Sequence, residues 1–240
     1  MKAIILAAGV GKRFGSKTQI LPKCLVPLGR NQGNLLSRYF DCFRKIGLKK
    51  ITIVCGHLME KIEAECKRSG QDLDIKLIFN KEYKKGSILS LFSAYKELDE
   101  ECLIMDADVY FPAEALEKLI HSKHKSAFLA DTRVKSSGEE QMLMAKNNRL
   151  VMISKKVDPQ LKIIGESVGF LKLCKSDAAL LKRILKKTVH EGKVNIEHEE
   201  TYPVLMKKIK IGFEAIGGLF WSEMDFKEDL VVIQRQFASS

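Results

Sequence analysis

Paired cysteines, long apolar runs and clustered histidines are all missing from this sequence, and each gap removes a class of protein. The six cysteines (Cys24, Cys42, Cys55, Cys66, Cys102 and Cys174) are scattered, with no C-x-x-C pair and no histidine at ligand spacing. That sets aside a zinc ribbon, a dithiol redox motif and a disulfide-stapled scaffold, and leaves reduced, partly buried thiols in a cytoplasm as the expectation. No stretch approaches the roughly 18 consecutive apolar residues of a membrane span. The first apolar run, Ala3 to Ala8, is too short for the core of a secretory leader and passes straight into glycine and basic residues. The five histidines are dispersed, so His57 and His198 read as peripheral polar residues, and no Ser/His/Asp or Cys/His constellation stands out. Internal repeats and low-complexity linkers are lacking too, which favours a single domain over residues 1–240.

What is present is an ordinary globular balance: 240 residues, 45% hydrophobic and 30% charged, with a formal net charge of +11. A basic excess of this size has two readings, a nucleic-acid or lipid surface and a solvated exterior with an electropositive cleft for a small polyanion. Lys and Glu are interleaved along most of the chain, as in Glu114–Lys118, and no long basic run occurs, which favours the second reading. No nucleic-acid partner and no membrane insertion are expected. Nothing in the pattern speaks to oligomeric state.

Hydrophobic periodicity predicts an α/β protein. Lys2 to Ala8, Ile51 to Cys55, Ile75 to Phe79 and Cys102 to Met105 read as buried strands. Between them, Leu35 to Ile46 places Leu36, Tyr39, Phe40 and Phe43 on one helical face, with Gly47 as its C-cap. Met59 to Ser69 and Ser87 to Leu98 are further helices. The alternation implies a Rossmann-like, mostly parallel sheet flanked by helices, with ligands beyond the strand carboxyl ends. After about residue 126 the texture changes to short strand-like runs, at Phe128–Thr132, Gln141–Ala145, Leu150–Ser154 and Ser167–Leu173. Turn signals fall at Ser136-Ser137-Gly138 and Asn147-Asn148, and helices at Asp177–Lys187 and Thr201–Lys208. This half, 127–240, reads as a mixed extension of the sheet that covers the cleft.

Two features sit at predicted strand ends. Gly9-Val10-Gly11 followed by Lys12 and Arg13 is a loop in which backbone amides can approach phosphate, and a helix start after it would add a favourable dipole. A tight strand–helix turn wants glycine as well, and neither a Rossmann fingerprint nor a P-loop is complete here. Asp106-Ala107-Asp108 offers two carboxylates where a hard cation could be held, or an aspartate that only caps a turn.

The wider pattern Leu6-Ala7-Ala8-Gly9-Val10-Gly11-Lys12-Arg13, with Pro22-Lys23 and Leu25, resembles the N-terminal signature of the sugar-phosphate nucleotidyltransferase superfamily. The resemblance implies the nucleotide-diphospho-sugar transferase fold, with residues up to about 126 as the nucleotide-binding half. It implies that Leu6, Ala7, Ala8, Gly9, Gly11, Lys12 and Arg13 hold the base and triphosphate, and that Lys23 stabilises charge on the α-phosphate. It also makes Asp108 a Mg²⁺ ligand and leaves nucleotide-side Asp106 to orient loops or to stand behind the metal ligands.

Trp221-Ser222-Glu223-Met224-Asp225 through Asp229-Leu230 is similar to the ending of the small cytidylyltransferases for phosphocholine, 2-aminoethylphosphonate and inositol phosphate. On that likeness Asp225 is the second metal ligand; read alone, the segment is an acidic helix start. Gly86-Ser87 resembles the nucleoside-contacting segment, with its usual asparagine missing unless Asn80 substitutes. Gly165-Glu166-Ser167-Val168-Gly169-Phe170 resembles a segment in which Glu166 touches the acceptor. Lys155, with Lys156 as competitor, stands where a lysine meets the acceptor phosphate. An acceptor bearing an amine would suit Glu166, Glu200, Tyr110, Tyr202, Phe170 and Trp221, although aromatics of this kind also serve as core. The implied reaction is Mg²⁺-dependent nucleotidyl transfer from a nucleoside triphosphate, CTP by the C-terminal motif, to a small phosphorylated or phosphonate acceptor. Lys23, Arg13 and Lys155 would neutralise charge. A sugar 1-phosphate acceptor and a non-catalytic nucleotide-binding module are the rival readings.

Overall fold

Strands from both halves of the chain join one nine-stranded sheet. The computed structural model describes residues 1–15, 17–134, 136 and 138–238. In chain order the elements are β1 (Lys2–Ala7), α1 (Lys17–Ile20), α2 (Leu35–Lys45), β2 (Lys50–Cys55), α3 (Met59–Ser69), β3 (Asp74–Phe79) and α4 (Ile88–Ser93). Then follow β4 (Cys102–Asp106), β5 (Val109–Tyr110), α5 (Ala113–Ile120), β6 (Ala127–Asp131), β7 (Met142–Lys146), β8 (Arg149–Ser154) and β9 (Lys162–Leu173). The chain closes with α6 (Lys175–His190), α7 (Tyr202–Met206), β10 (Gly212–Ala215), β11 (Ser222–Glu223) and α8 (Lys227–Ala238). Short 3-10 turns lie at Lys12–Phe14, Lys23–Leu25, Tyr95–Glu97 and His198–Thr201.

The sheet runs β10-β6-β9-β4-β1-β2-β3, and the β7–β8 hairpin is added through β7 along β9. Strands β1, β2, β3 and β4 are mutually parallel where they pair, and β9 runs antiparallel between β4 and β6. From β1 the chain moves to β2 and β3 on one side, then returns to β4 on the other. That reversal opens a crevice at the carboxyl ends of β1 and β4, where a ligand fits an open α/β sheet. Register places Leu6 opposite Asp106.

Alternation along β1 divides the core between two faces. Ala3 and Ile5 pack with Tyr39, Phe40 and Phe43 of α2, Leu116 of α5 and Ile233 of α8. Ile4 packs with Leu89 of α4, Leu181 of α6 and Leu205 of α7. Helix α2 starts on a capping box: Asn34 Oδ1 accepts from Ser37 N at 2.8 Å, and Ser37 Oγ accepts from Asn34 N at 3.0 Å. The Asn147-Asn148 turn has φ of 50° and 58°, the left-handed pair that a two-residue hairpin turn between β7 and β8 requires. Ser137 of the other expected turn lies outside the described residues.

Two local expectations are corrected, and one strand was not foreseen. The helix expected over Ser87–Leu98 ends at Ser93, and a separate 3-10 turn covers Tyr95–Glu97. The glycine-rich loop leads into a 3-10 turn and the four-residue α1, so no long helix points its dipole at the loop. Strand β10, with its sequence Gly-Phe-Glu-Ala, escapes a periodicity reading because it is too short to alternate clearly.

Candidate active site

A cleft of about 590 Å³ opens at the crevice between β1 and β4. Its floor is the end of β1 with the loop that follows: Leu6, Ala7, Ala8, Gly9, Gly11, Lys12 and Arg13 all line it, as does Lys23. Gly11 has φ +64°, which favours glycine, and a Cβ there would sit tightly, 3.1 Å from Thr18 Cγ2.

The second wall is built by the short ribbon of β5 and β11. Val109 pairs with Glu223 and Tyr110 with Ser222, and Met224 N donates to Asp108 O at 2.8 Å. This pairing carries Glu223 and Asp225 to the Asp106–Asp108 turn. Tyr39, fully buried on α2, braces the same turn: its hydroxyl lies 2.8 Å from both Asp106 O and Val109 O and accepts from Val109 N at 3.2 Å. Asp229 Oδ2 accepts from Asp225 N at 2.8 Å and Phe226 N at 2.6 Å, which fixes the start of α8 beneath Asp225.

Asp108, Glu223 and Asp225 each present a carboxylate oxygen within 4.8 Å of the others. Lys23 Nζ pairs with Asp108 and lies 2.7 Å from Asp225 Oδ1, while Arg13 Nη2 lies 2.5 Å from Asp225 Oδ2. Loss of hydration works against the charge on Lys23, but Asp108 and Asp225 outweigh it and hold its pKa above that of a free lysine. Glu223 reaches solvent at the cleft mouth, yet the surrounding walls thin its hydration, and Asp108 and Asp225 add repulsion. Its carboxyl is therefore held well above the ordinary range. A convergence of hard oxygen donors with a surplus of negative charge fits a divalent cation such as Mg²⁺.

A second cluster lies across the cleft. His198 Nδ1 is 2.9 Å from Glu199 Oε2 and 3.2 Å from Ser87 Oγ, and His198 Nε2 is 4.0 Å from Asp106 Oδ1. Burial opposes the charge on His198, but Glu199, Asp106 and Glu197 outweigh it and push its pKa up to about 9. Lys155 Nζ is 3.6 Å from Glu197 Oε1. Glu166 lines the same wall, its carboxyl pushed up to about 7 by loss of hydration and then by Glu140 and Asp131. Trp221 is held there by its indole N–H, which donates to Asp131 Oδ2 at 2.9 Å. Arg133 in turn grips Asp131 through two side-chain hydrogen bonds of 3.0 and 2.8 Å.

Against known proteins, residues 3–163 match the MobA-like NTP transferase domain. The chain belongs to that family. It is 30% identical to the choline-phosphate cytidylyltransferase of Haemophilus influenzae, over 95% of this chain and 94% of that one. It is 25% identical to the CTP:phosphoglutamine cytidylyltransferase of Campylobacter jejuni, over 97% and 98% of the two chains. Its fold is similar to that of the CTP:phosphocholine cytidylyltransferase from Streptococcus pneumoniae, with a TM-score of 0.76 at 20% identity and 98% of each chain covered. This MobA-like NTP transferase is accordingly a nucleotidyltransferase.

In this NTP transferase most residues singled out by sequence meet in the cleft, namely the Leu6–Arg13 positions named above, Lys23, Ser87, Asp106, Asp108, Lys155, Glu166, Trp221 and Asp225. Lys156 does not line it. Four others are corrected. Tyr110 is buried beside Phe220 and Phe237, where the β5–β11 ribbon turns it into the core. Tyr202 lies behind His198, packed edge-on against it and against Phe128. Glu200 reaches back to accept from Glu197 N at 3.0 Å, capping the His198–Thr201 turn without itself lining the cleft. Gly86 donates its N–H to Val194 O at 3.0 Å and packs on the 195–196 backbone instead of lining the cleft. Phe170 is core, and Asn80 supports a lining residue by donating to Ser90 Oγ at 3.1 Å.

Sequence reading also missed residues. Glu223, Glu197, Glu199, His198 and Asp229 all line the cleft. The alternate spacing of Glu223, on β11, and Asp225, just after it, was a usable signal for the first; the others depend on long-range packing. The expected electropositive cleft is corrected as well: carboxylates lining it are twice as numerous as Lys and Arg side chains. The positive excess lies on the exterior. Among the described residues, no helix is long and apolar enough to cross a membrane, and the six cysteines are unpaired thiols.

Proposed function

We propose that this nucleotidyltransferase transfers a cytidylyl group from CTP to a small phosphorylated or phosphonate acceptor carrying a cationic headgroup, with Mg²⁺ as the metal. The observation that carries the reading is the Lys23–Asp108–Glu223–Asp225 cluster at the switch point of the sheet. It occurs in a chain 30% identical, over nearly its whole length, to a choline-phosphate cytidylyltransferase. The acid-rich wall of Glu166, Glu197 and Glu199, beside the indole of Trp221, suits an ammonium-bearing acceptor better than an uncharged sugar.

In this reading an anionic oxygen of the acceptor attacks the α-phosphorus of CTP. A P–O bond forms, the α–β bridging bond breaks, and pyrophosphate leaves. The nucleophile is already anionic near neutral pH, so no general base is needed, and the work is alignment and charge neutralisation. Asp108, Asp225 and Glu223 would hold the metal, which as a Lewis acid supplies charge stabilisation on the phosphates. Lys23 turns from the carboxylates toward the α-phosphate. Arg13 and Lys12 meet the β- and γ-phosphates from the loop, and Lys155 meets the acceptor phosphate.

The test is pyrophosphate release with Mg²⁺ from each of CTP, UTP, dTTP, GTP and ATP, across a panel of acceptors. Turnover with CTP and an ammonium-bearing phosphate or phosphonate is expected. Preference for a sugar 1-phosphate would overturn the acceptor assignment. Nucleotide binding without turnover on any acceptor would favour a binding module.

A further inference from the structure

Outside the cleft, the connection from β2 to α3 carries a strained residue. Leu58 sits at φ 51° and ψ 45°, a left-handed conformation that costs a leucine about 1–2 kcal/mol. Such a conformation persists only where its surroundings over-determine it. What it delivers is the adjacent histidine. His57 N donates to Ala8 O at 3.2 Å, and His57 Nε2 lies 2.8 Å from Thr18 O. A carbonyl only accepts, so Nε2 carries the hydrogen and donates it.

Thr18 passes the constraint on. It is 2% exposed, and its Oγ1 lies 2.8 Å from both Gly11 O and Gly15 O, sharing one hydroxyl hydrogen between the two carbonyls. Its methyl group packs on Gly11, the position where the loop turns left-handed. The segment between carries Lys12 and Arg13, both in the cleft lining, whereas His57 and Thr18 line no part of it. His57 thus ties the end of β2 to the end of β1 through its backbone N–H and to the start of α1 through its imidazole. The glycine-rich loop has no long helix of its own to stiffen it.

We infer that His57 and Thr18 are positioning residues for the nucleotide, bracing the Gly11–Gly15 loop in the shape that presents Lys12 and Arg13 to the triphosphate. The inference rests on the proposed reading of this loop as the triphosphate site. Its effect belongs to nucleotide binding and not to the acceptor or to the chemical step.

The experiment compares His57→Gln, which keeps an N–H donor at similar reach, with His57→Met, which keeps bulk and loses the donor. Dissociation constants for CTP and the other nucleotides, steady-state constants and melting temperatures are measured for both and for the wild type. For His57→Met, nucleotide affinity and KM are expected to weaken about tenfold, the worth of one hydrogen bond lost from a braced loop. The acceptor KM and kcat at saturating nucleotide stay near wild type, and His57→Gln recovers most of the nucleotide affinity. Thr18→Val, which removes only the hydroxyl's hydrogen bonds, gives the same selective loss and serves as the test if His57→Met does not fold.

Unchanged nucleotide affinity in the donor-free variants overturns the inference, as does a loss shared equally with the acceptor, or His57→Gln failing as badly as His57→Met. A wild-type protein that binds none of the five nucleotides instead refutes the reading of the loop itself.

Discussion

Glu166 shows how much a single side chain can report. Its folded-state carboxyl is pushed up to about 7 from the ordinary 4.5. Between those values the folded chain holds a proton that the unfolded chain has released, so this group makes the fold less stable as pH rises through that window. A bound ammonium group reverses the preference by favouring the carboxylate. The acceptor KM is therefore expected to fall as pH rises from about 6 to about 8. In Glu166→Gln that part of the profile flattens. The acceptor phosphate titrates in the same range for both proteins, so the ratio of their KM values at each pH isolates the glutamate. A constant ratio would remove Glu166 from the acceptor wall.

Also at this scale, Asp108→Ala and Asp225→Ala are each expected to abolish divalent-dependent turnover, with melting temperatures within a few degrees of wild type. Each change gives up an ion pair with Lys23 but also relieves repulsion among Asp108, Glu223 and Asp225, so the net loss to the fold is small. Turnover near the wild-type rate in either variant would take that residue out of the metal site. Lys23, Asp108 and Asp225 were legible in the sequence because each falls in a short motif that resembles the nucleotidyltransferase family's, whereas read alone Asp108 and Asp225 could be turn or helix caps. Glu199 and His198 were not, because their role exists only once the turn at His198–Thr201 has packed beside β4. Tyr110 and Tyr202 misled for the same reason: composition shows an aromatic, but only packing decides whether it faces ligand or core.

Among elements, α2 does more than cover the sheet. Through Tyr39 it fixes the turn that carries Asp106 and Asp108. Tyr39→Phe keeps the buried ring and removes the hydroxyl, leaving backbone groups of that turn without a partner. A loss of about 1–3 kcal/mol is expected in denaturant unfolding, together with weaker divalent-ion binding by calorimetry. A stability loss with unchanged ion affinity would mean that the turn holds its shape unaided. Long amphipathic helices such as α2 and α3 could be read from their 3.6-residue period, close to their true ends. The β5–β11 ribbon could not, because two residues per strand carry no period. Yet it is this ribbon that joins the two ends of the chain's acidic chemistry.

At the scale of the whole molecule, a chain of net charge +11 surrounds a cleft in which carboxylates predominate. Counting charges along the sequence could not foresee that separation, since the cleft's acids come from many distant segments. Lys23 sits at its centre, bridging Asp108 and Asp225. To settle among these carboxylates, a lone divalent ion must dislodge an ammonium already there, and a lone triphosphate meets their repulsion. When both arrive, Lys23 can trade carboxylate for phosphate and every charge finds an opposite. Titration calorimetry should show Mg²⁺ alone, and CTP alone in chelator, each binding at least about tenfold more weakly than in the other's presence. Independent binding of the two would contradict this. With the coupling, Lys23 works as an interlock, a two-key device under which metal without nucleotide, or nucleotide without metal, is held only weakly.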